Sequence, residues 1–404
     1  TMPAGSHAAP RGKDSLSRVN KTLSSARSSF RSQVHLGVLV AWVGLLLFGT
    51  VVIWTASLSI ADASFSRHLL GIGIGVVLAF LTWRFVDFSN LQNLSTVLLV
   101  IDIVLVFLPN VPGLQYSAMG MTGWIRIPLI NLAFQPVELV KVVTIFFMSA
   151  LGAQYHGKID TLRDYVKLCG MLAIPFACVI IQGDLGSGLV VFVSGAIVIM
   201  MSGARKEWVL MTLALIIGLV SLMLATDSII DGVLGDSRSF IKNYQMNRLL
   251  VFLDPEADTS GAGYNLQQSL IAVGSGGFFG KGIGNATQST SGFLPEAHTD
   301  FVFALLCETF GFAGAFVLLA LFALLMFSTI RIAIKCESLF YRLVCVGFVG
   351  MWLFQIFENI GMCIGLMPIT GIPLPFISFG SSSMIVQCLI IGIIQSIWRR
   401  RGAR

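Results

Sequence analysis

The feature that most constrains the fold of this chain is a series of long apolar segments separated by short, basic loops. A helix needs about 20 mostly apolar residues to cross the hydrocarbon core of a bilayer, and the longest segments reach that length. Hydrophobic residues make up 55% of the 404 residues, more than a soluble protein of this size can bury. The sequence therefore predicts an all-α polytopic membrane protein.

Ten membrane spans are predicted, and this even number places both termini on the same side. The break between the fifth and sixth spans is brief, because only residues 182–186 interrupt one long apolar run. A large loop over residues 227–299 separates the seventh and eighth spans. The predicted spans cover about 34–59, 68–84, 93–109, 136–154, 167–182, 186–203, 208–226, 300–330, 343–366 and 378–398.

The positive charges predict the topology. Lys and Arg concentrate in the termini and in the short loops of one side, and are thinly spread over the longer loops of the other. The positive-inside rule makes the first side cytoplasmic, so both termini are cytoplasmic and residues 227–299 lie outside. The net charge of +6 is thus topological information and gives no indication of a nucleic-acid partner.

Composition also divides the chain. Residues 1–33 are rich in Ser, Ala and basic residues without apolar periodicity, and are predicted to form a disordered cytoplasmic tail. Residues 34–398 are predicted to form a single transmembrane domain, followed by a basic tail at 399–404. The expected location is a bacterial cytoplasmic (inner) membrane.

Two stretches interrupt the pattern of regular spans, at 123–136 and at 367–383. Both are apolar but broken by prolines, and the second ends in a cluster of serines. Irregular backbone at membrane depth is tolerated only against protein or a water-filled cavity. Two interpretations remain open: helix caps and turns, or the walls of a polar cavity that opens to the outer leaflet.

Polar chemistry concentrates at the end of the large loop. Residues 264–303 are rich in Gly and hydroxyl residues and carry Lys281, Glu296, His298 and Asp300, although only 11% of the chain is charged. Such a segment is either a solvated loop or a functional site.

Several charged or amide side chains fall inside or next to apolar segments, where each needs a partner or a function. Glu138 and Lys141 lie three residues apart on one helical face, which predicts either a structural ion pair or a functional pair. Asp184 is predicted to be a helix cap, with a cavity acid as the alternative, and Asp102 an internally hydrogen-bonded core acid. Glu308, Glu358 and Asn359 are predicted to face inward, either as helix-packing contacts or as part of the chemistry.

Six motifs closely resemble those of the SEDS family (shape, elongation, division and sporulation), and the resemblance covers roughly residues 34–400. They are FQPVELVK, QGDLGSG, NRLLVFLDPEADTSGAGY, GYNLQQSLIAVGSGGFFGKG, FLPEAHTDFVFALLCE and NIGMCIGLMPITGIPLPFISFGSSS. The resemblance implies an integral-membrane glycosyltransferase that polymerises lipid II into peptidoglycan. The departures are Val137 for Ser, Gly183 for Pro, Thr309 for a second Glu, and Phe379-Gly380-Ser381 for Tyr-Gly-Gly.

The same resemblance implies the site residues. Asp300 falls where the family has its catalytic aspartate and is the candidate base, with a metal ligand or a helix cap as its other possible roles. Glu138 and Lys141 match a pair implicated in activity. A pyrophosphate leaving group needs positive charge, for which a divalent cation (Mg or Mn), Lys141, Arg248 and Lys281 are candidates. The candidate substrate-binding residues are Arg248, Lys281, His298, Thr299, Gln288, Glu296 and Asp184.

The resemblance also implies partners. They are lipid II, a glycan held on undecaprenyl pyrophosphate, membrane lipid, and a class B penicillin-binding protein that cross-links the strands. Thr287-Gln288-Ser289 and the NRLLVFLDPEAD wording favour the elongation (RodA) branch, whereas Pro295-Glu296-Ala297-His298 is shared with the division (FtsW) branch. The division and sporulation branches therefore stay open as alternatives. The rival functions are a flippase for lipid-linked precursors and a channel or ion-coupled transporter.

Overall fold

The computed structural model describes residues 33–60, 62–118, 121–127, 132–218 and 261–402. In these ranges the chain is a bundle of apolar helices, six of them long and apolar enough to cross a membrane. The predicted class, an all-α polytopic membrane protein, is confirmed. The number of ten spans stays a prediction, because residues 219–260 lie outside the described ranges. The predicted basic tail at 1–33 lies almost wholly outside them too.

The described helices begin and end close to the predicted spans. They are α1 (Leu36–Ser57), α2 (Phe65–Phe85), α3 (Ser95–Phe107), α4 (Val137–Ala153), α5 (Leu162–Ile181), α6 (Leu185–Met201), α7 (206–218, the described part), α8 (Ala262–Ser275), α9 (Thr287–Thr290), α10 (Val302–Lys335), α11 (Leu339–Cys363) and α12 (Ser381–Arg399). Of these, α8 and α9 belong to the segment that the sequence analysis treated as a polar loop.

The brief break between α5 and α6 is present. Asp184 is the N-cap of α6, and its Oδ1 accepts a hydrogen bond from the backbone N–H of Ser187 at 2.9 Å. The preceding Gly183 has φ +92°, a left-handed conformation that proline cannot adopt. The predicted cap role of Asp184 is thus realised, at a turn where the glycine departs from the family wording.

The stretch at 123–136 is more regular than predicted. Its described part belongs to a three-stranded antiparallel sheet of β1 (Gln115–Ala118), β2 (Met121–Ile127) and β3 (Leu132–Phe134). Trp124 lies opposite Tyr116 in the register of β1 and β2. The expectation of irregular backbone is therefore wrong for these residues, since neighbouring strands satisfy their backbone groups.

A kink divides α10 at Gly311, whose φ of 67° and ψ of −163° are non-helical. The kink leaves backbone groups without helical partners, and residues 277–282 take their place. Lys281 and Gly282 donate backbone N–H groups to the carbonyls of Glu308 and Thr309, at 2.9 and 3.0 Å. The carbonyls of residues 277 and 278 accept from the N–H groups of residues 312 and 313. The segment after α8 is therefore built into the middle of a membrane helix.

One buried acid of the core is paired with a hydroxyl from the neighbouring helix. Asp102 of α3 is fully buried and accepts a hydrogen bond from Thr144 of α4 at 2.9 Å. This agrees with its predicted role as a hydrogen-bonded core acid. Close helix contacts use small residues: Gly392 of α12 lies directly against the backbone of Ala79 of α2. A methyl group at position 392 would have no room.

Candidate active site

The turn that carries the candidate base runs from Glu296 to Phe301. Glu296 has φ +53°, and its carbonyl accepts the N–H groups of Thr299, Asp300 and Phe301, each at 3.1 Å. The Thr299 hydroxyl donates to the Glu296 carboxylate at 2.7 Å. Helix α10 begins at Val302 with Phe301 as its N-cap. Phe301 thus stands at the N-cap position, and Asp300 lies one residue before it.

Three hydrogen bonds hold this turn against the connection between α11 and α12. The buried amide Nδ2 of Asn359 donates to the carbonyls of Asp300 and Ile372, both at 2.8 Å. The Ser378 hydroxyl donates to the carbonyl of Thr299 at 2.7 Å, and the N–H of Phe379 donates to the carbonyl of His298 at 2.9 Å. The backbone on both sides of the Asp300 carboxyl group is thus fixed from outside the loop.

The Asp300 carboxylate lies against Gly371, in the proline-rich connection 364–380. A Cβ at position 371 would lie 3.0 Å from Oδ2 of Asp300, and Gly371 has φ +76°. On one side of Gly371, the Thr370 hydroxyl makes a short hydrogen bond to the buried Glu358 carboxylate. Glycine at this position leaves space at the carboxylate that any other residue would fill.

His298 is a buried histidine beside the candidate base. Its ring packs against Phe379 with centroids 5.4 Å apart, and its Nδ1 has no hydrogen-bond partner in the described part of the protein. Burial lowers the pKa of His298 below the usual 6.5, and the charges of Glu296 and Asp62 oppose that shift. The imidazole is therefore neutral near pH 7, and its Nδ1 is a buried polar atom without a partner among the described residues.

Lys281 and Gln288 belong to a different cluster, organised by Glu308 of α10. The fully buried Glu308 carboxylate pairs with Lys281 Nζ at 2.7 Å. It also accepts the backbone N–H groups of Gln288 and Ser289, both at 2.9 Å, and the Ser289 hydroxyl. The charge of Lys281 is thus partly neutralised by a buried acid. Glu308, predicted as a packing contact, is the anchor of residues 281–289.

Glu138 and Lys141 form a buried ion pair on the first two turns of α4. Lys141 Nζ lies 2.7 Å from Glu138 Oε1, and the side chains are 2% and 4% exposed. Glu138 Oε2 has no hydrogen-bond partner among the described residues. The pair is therefore shielded from solvent, and one oxygen of its carboxylate lacks a hydrogen-bond partner among the described residues.

The predicted walls of the cavity meet next to this pair. The backbone N–H of Gln135 donates to the Ser382 hydroxyl at 3.0 Å, and that hydroxyl donates to the carbonyl of Ala133 at 3.2 Å. The Gln135 amide donates to Asp184 at 3.3 Å. Gly186, in the first turn of α6, lies against Ile372 and Thr370. Contacts thus run continuously from Asp300 through 370–372 and α6 to the start of α4.

The structure therefore brings most of the predicted site residues to one end of the bundle. Asp300, His298, Thr299 and Glu296 share one turn, Asp184 caps the neighbouring α6, and Arg248 lies outside the described residues. Sequence reasoning missed the clamping roles of Asn359 and Ser378. The only signal for them was their place in the motif 359–383.

The described residues contain no group of three or more His, Cys, Asp or Glu side chains that could hold a metal ion. A divalent cation that binds pyrophosphate needs fewer, because Mg²⁺ typically binds one or two carboxylates together with substrate phosphates. Asp300, half-buried and next to the space at Gly371, fits that smaller requirement.

Comparison with known proteins decides the family. The model of the cell cycle protein family FtsW/RodA/SpoVE matches residues 36–402. This chain belongs to that family. Stage V sporulation protein E of Bacillus subtilis is 33% identical over 88% of this chain and 94% of the relative. Peptidoglycan glycosyltransferase MrdB of Escherichia coli is 33% identical over 93% of this chain and 96% of the relative. The resemblance to the SEDS family is confirmed.

Solved FtsW/RodA/SpoVE structures agree with the fold. A structure described as a peptidoglycan synthase complex that coordinates polymerization and crosslinking includes a chain with a TM-score of 0.73 and 28% identity. The match covers 91% of this chain and 98% of that one. RodA of Thermus thermophilus gives a TM-score of 0.64 with 26% identity, over 91% of this chain and 97% of that one. Relatives from the elongation, division and sporulation branches match almost equally well, so similarity alone does not select a branch.

Proposed function

We infer that this protein is a peptidoglycan glycosyltransferase that polymerises lipid II into glycan strands. The observation that carries this conclusion is a family match along the whole bundle, to relatives named as peptidoglycan glycosyltransferases. The clamped turn around Asp300 supports a role for this aspartate in that activity.

The reaction transfers a glycan between two lipid-linked sugars. The 4-hydroxyl of the acceptor sugar attacks the anomeric carbon of the chain held on undecaprenyl pyrophosphate, with inversion. A new C–O bond forms, the bond to pyrophosphate breaks, and its electron pair leaves with the pyrophosphate. Asp300 accepts the hydroxyl proton. A glycoside hydrolase uses a second carboxylic acid to protonate a poor leaving group, which pyrophosphate does not need.

Positive charge near the leaving group supports the departure of pyrophosphate. A bound divalent cation, Mg or Mn, would supply this charge. If Asp300 held that cation, it would serve as a metal ligand in place of the base. Lys141 and Lys281 already carry carboxylate partners, so each contributes only the charge that its partner leaves unbalanced. Arg248 is a further candidate. The neutral His298 ring and the Thr299 hydroxyl are placed to orient the substrate beside Asp300.

The same proposal includes the branch of the family, the protein partner and the location of the site in the membrane. The NRLLVFLDPEAD and Thr287-Gln288-Ser289 wording favours the elongation branch, which acts in cell shape. A class B penicillin-binding protein is the expected partner, in line with a solved relative that belongs to a synthase complex. The site lies at the outer face of the cytoplasmic membrane, because the positive-inside rule places the loop before α10 outside.

The decisive experiment incubates the purified full chain with lipid II and separates the products on a gel. The wild type forms glycan strands, and Asp300→Asn keeps the fold while polymerisation falls by about 10²–10⁴-fold. Asp102→Asn removes an acid from the core and serves as the control that keeps activity. Normal polymerisation by Asp300→Asn would remove the catalytic assignment. A wild type that moves lipid II across vesicles without polymer would support a flippase instead.

A further inference from the structure

A groove of about 200 Å³ opens between the start of α1 and the end of α2. It arises because α1 packs mainly on α10 whereas α2 packs on α12. Gly392 of α12 closes the back of the groove, and the amide of Gln395 at one end is occupied by two hydrogen bonds with the His35 backbone. The remaining lining is apolar and includes Leu39, Trp42, Val76, Phe80, Trp83 and Ile391.

The groove faces the surrounding lipid. Val76 and Phe80 are 38% and 52% exposed on the outer side of α2. Trp83 lies two residues before the end of α2, the level at which tryptophan anchors a protein to the membrane interface, and Trp42 lines the groove deeper in the bundle. The volume is below the roughly 300–1,000 Å³ of pockets that enclose compact ligands, and suits a length of hydrocarbon chain.

Two arginines lie at the same end. Arg84 is in the last turn of α2 and Arg399 in the last turn of α12, where its Nη1 donates to the Arg84 carbonyl at 2.9 Å. Neither guanidinium has an acid within ion-pair distance in the described ranges, whereas Arg400 pairs with Asp87 at 3.3 Å. An apolar groove thus ends near two cations that have no acidic partner among the described residues.

Basic side chains cluster around His35 at this end. Burial lowers the pKa of His35, and the nearby charges of Lys335, Arg331 and Arg401 lower it further. An anion at this end would be attracted by all of these groups.

We propose that this groove binds one acyl chain of an anionic glycerophospholipid, whose phosphate lies between Arg84 and Arg399. The site lies in the leaflet that the positive-inside rule predicts to be cytoplasmic, far from the lipid II chemistry. The chain's own segment before Gln33 is a poorer occupant. It carries six Lys or Arg residues and one acid, so it would bring like charge to the arginines. A neutral lipid would leave both guanidinium groups without a counter-charge.

Photolabelling tests this site directly. The full chain is reconstituted in phosphatidylcholine vesicles with a small fraction of phosphatidylglycerol that carries a diazirine on one acyl chain. Labelled peptides are then mapped by mass spectrometry. Labelling concentrates on 34–42, 76–83 and 391–395, and exceeds that by a diazirine phosphatidylcholine at equal fraction. The Arg84→Gln, Arg399→Gln variant needs an about 30-fold higher fraction of phosphatidylglycerol for half-maximal labelling. The reason is that each arginine raises the affinity for the anionic lipid by about fivefold.

Two controls complete the design. Arg163→Gln with Lys167→Gln removes two charges from the start of α5, which is predicted to lie on the same membrane face, and leaves labelling unchanged. Val76→Trp fills the groove and abolishes the labelling with both arginines in place. Equal labelling by the two lipids, or labelling unaffected by the arginine double variant, would reduce the groove to ordinary lipid contact and overturn the proposal. Crosslinks from a photoreactive residue at position 76 to residues 1–32 would overturn it too, in favour of the N-terminal segment.

Discussion

At the scale of single residues, groups on other elements set the position of Asp300. Its backbone carbonyl is held by Asn359, the carbonyl before it by Ser378, and its carboxylate faces Gly371. A general base must lie within hydrogen-bond reach of the proton that it removes. In the proposed reaction these groups fix that reach, and we propose that they act as positioning residues.

Asn359→Leu tests the clamp. The substitution keeps the approximate size of the side chain but leaves two buried carbonyls without their donor, which costs about 1–3 kcal/mol of stability. The turnover rate falls severalfold or more while KM changes little, because Asp300 loses its position. Lipid II kinetics and thermal unfolding measure the two effects.

Gln355→Leu is the matched control, since it removes another fully buried amide one turn earlier on α11, away from Asp300. It lowers stability and leaves turnover near the wild-type value. Equal loss of turnover in both variants would show that Asn359 matters only for the stability of α11.

The pair Glu138–Lys141 is tested by removing both charges. Replacing a buried ion pair with apolar residues is often neutral or stabilising, whereas removing one partner costs about 3–5 kcal/mol. The Glu138→Leu, Lys141→Leu double variant therefore keeps its melting temperature and loses polymerisation, if the pair acts on substrate or metal. Normal polymerisation by the double variant would leave the pair a purely structural role.

At the scale of elements, the kink in α10 gives the clearest prediction. Gly311→Ala forces a side chain into φ +67°, at a cost of about 1–3 kcal/mol, and into the backbone of residues 278–280. The melting temperature falls and polymerisation is lost, because residues 277–282 no longer fit the helix. Thermal unfolding in detergent measures the change.

Gly73→Ala provides the comparison, since Gly73 lies in α2 with no atom within 4 Å of the added methyl group. Alanine there stabilises the helix by about 0.5–1 kcal/mol. Equal melting temperatures for Gly311→Ala and the wild type would mean that the kink adapts to a side chain.

Apolar run length predicted the membrane helices well, because each long run has to be buried in lipid or in protein. It failed for the small sheet. There Thr122, Trp124 and Arg126 recur at every second position, as on one face of a strand, but the nearby prolines led to a prediction of irregular backbone. It also passed over α8, in which Leu266, Ser269 and Ala272 are buried at helical spacing. Both elements are short, and the Gly-rich wording around them favours loops.

The site was predictable to a different extent. Asp300, Glu138 and Lys141 came from motif resemblance, which carries residues but no contacts. The bond from Asn359 to Asp300 joins positions 59 apart, and the bond from Ser378 to Thr299 joins positions 79 apart. The local sequence pattern contains no information on such distant pairs. The hydrogen bonds that hold the turn could therefore be identified only from the three-dimensional structure.

At the scale of the whole molecule, the topology can be tested independently of the reaction. Ser237→Cys, in the loop predicted to be outside, reacts with a membrane-impermeant maleimide in intact cells. Asp160→Cys, exposed between α4 and α5, reacts only after lysis. The native cysteines are buried or half-buried, which keeps their background low. The reverse pattern would invert the predicted orientation.

The clamp on the 296–301 turn has a consequence for how the protein is made. Synthesis runs from the N-terminus, so Asp300 enters the membrane before Asn359, Ser378 and Phe379 have left the ribosome. Until α11 and its connection to α12 are inserted, the turn lacks all three of its anchors. A nascent or truncated chain that ends after α10 therefore contains the aspartate but no assembled site. Lipid II at the membrane surface meets a competent polymerase only once the last part of the chain is in place.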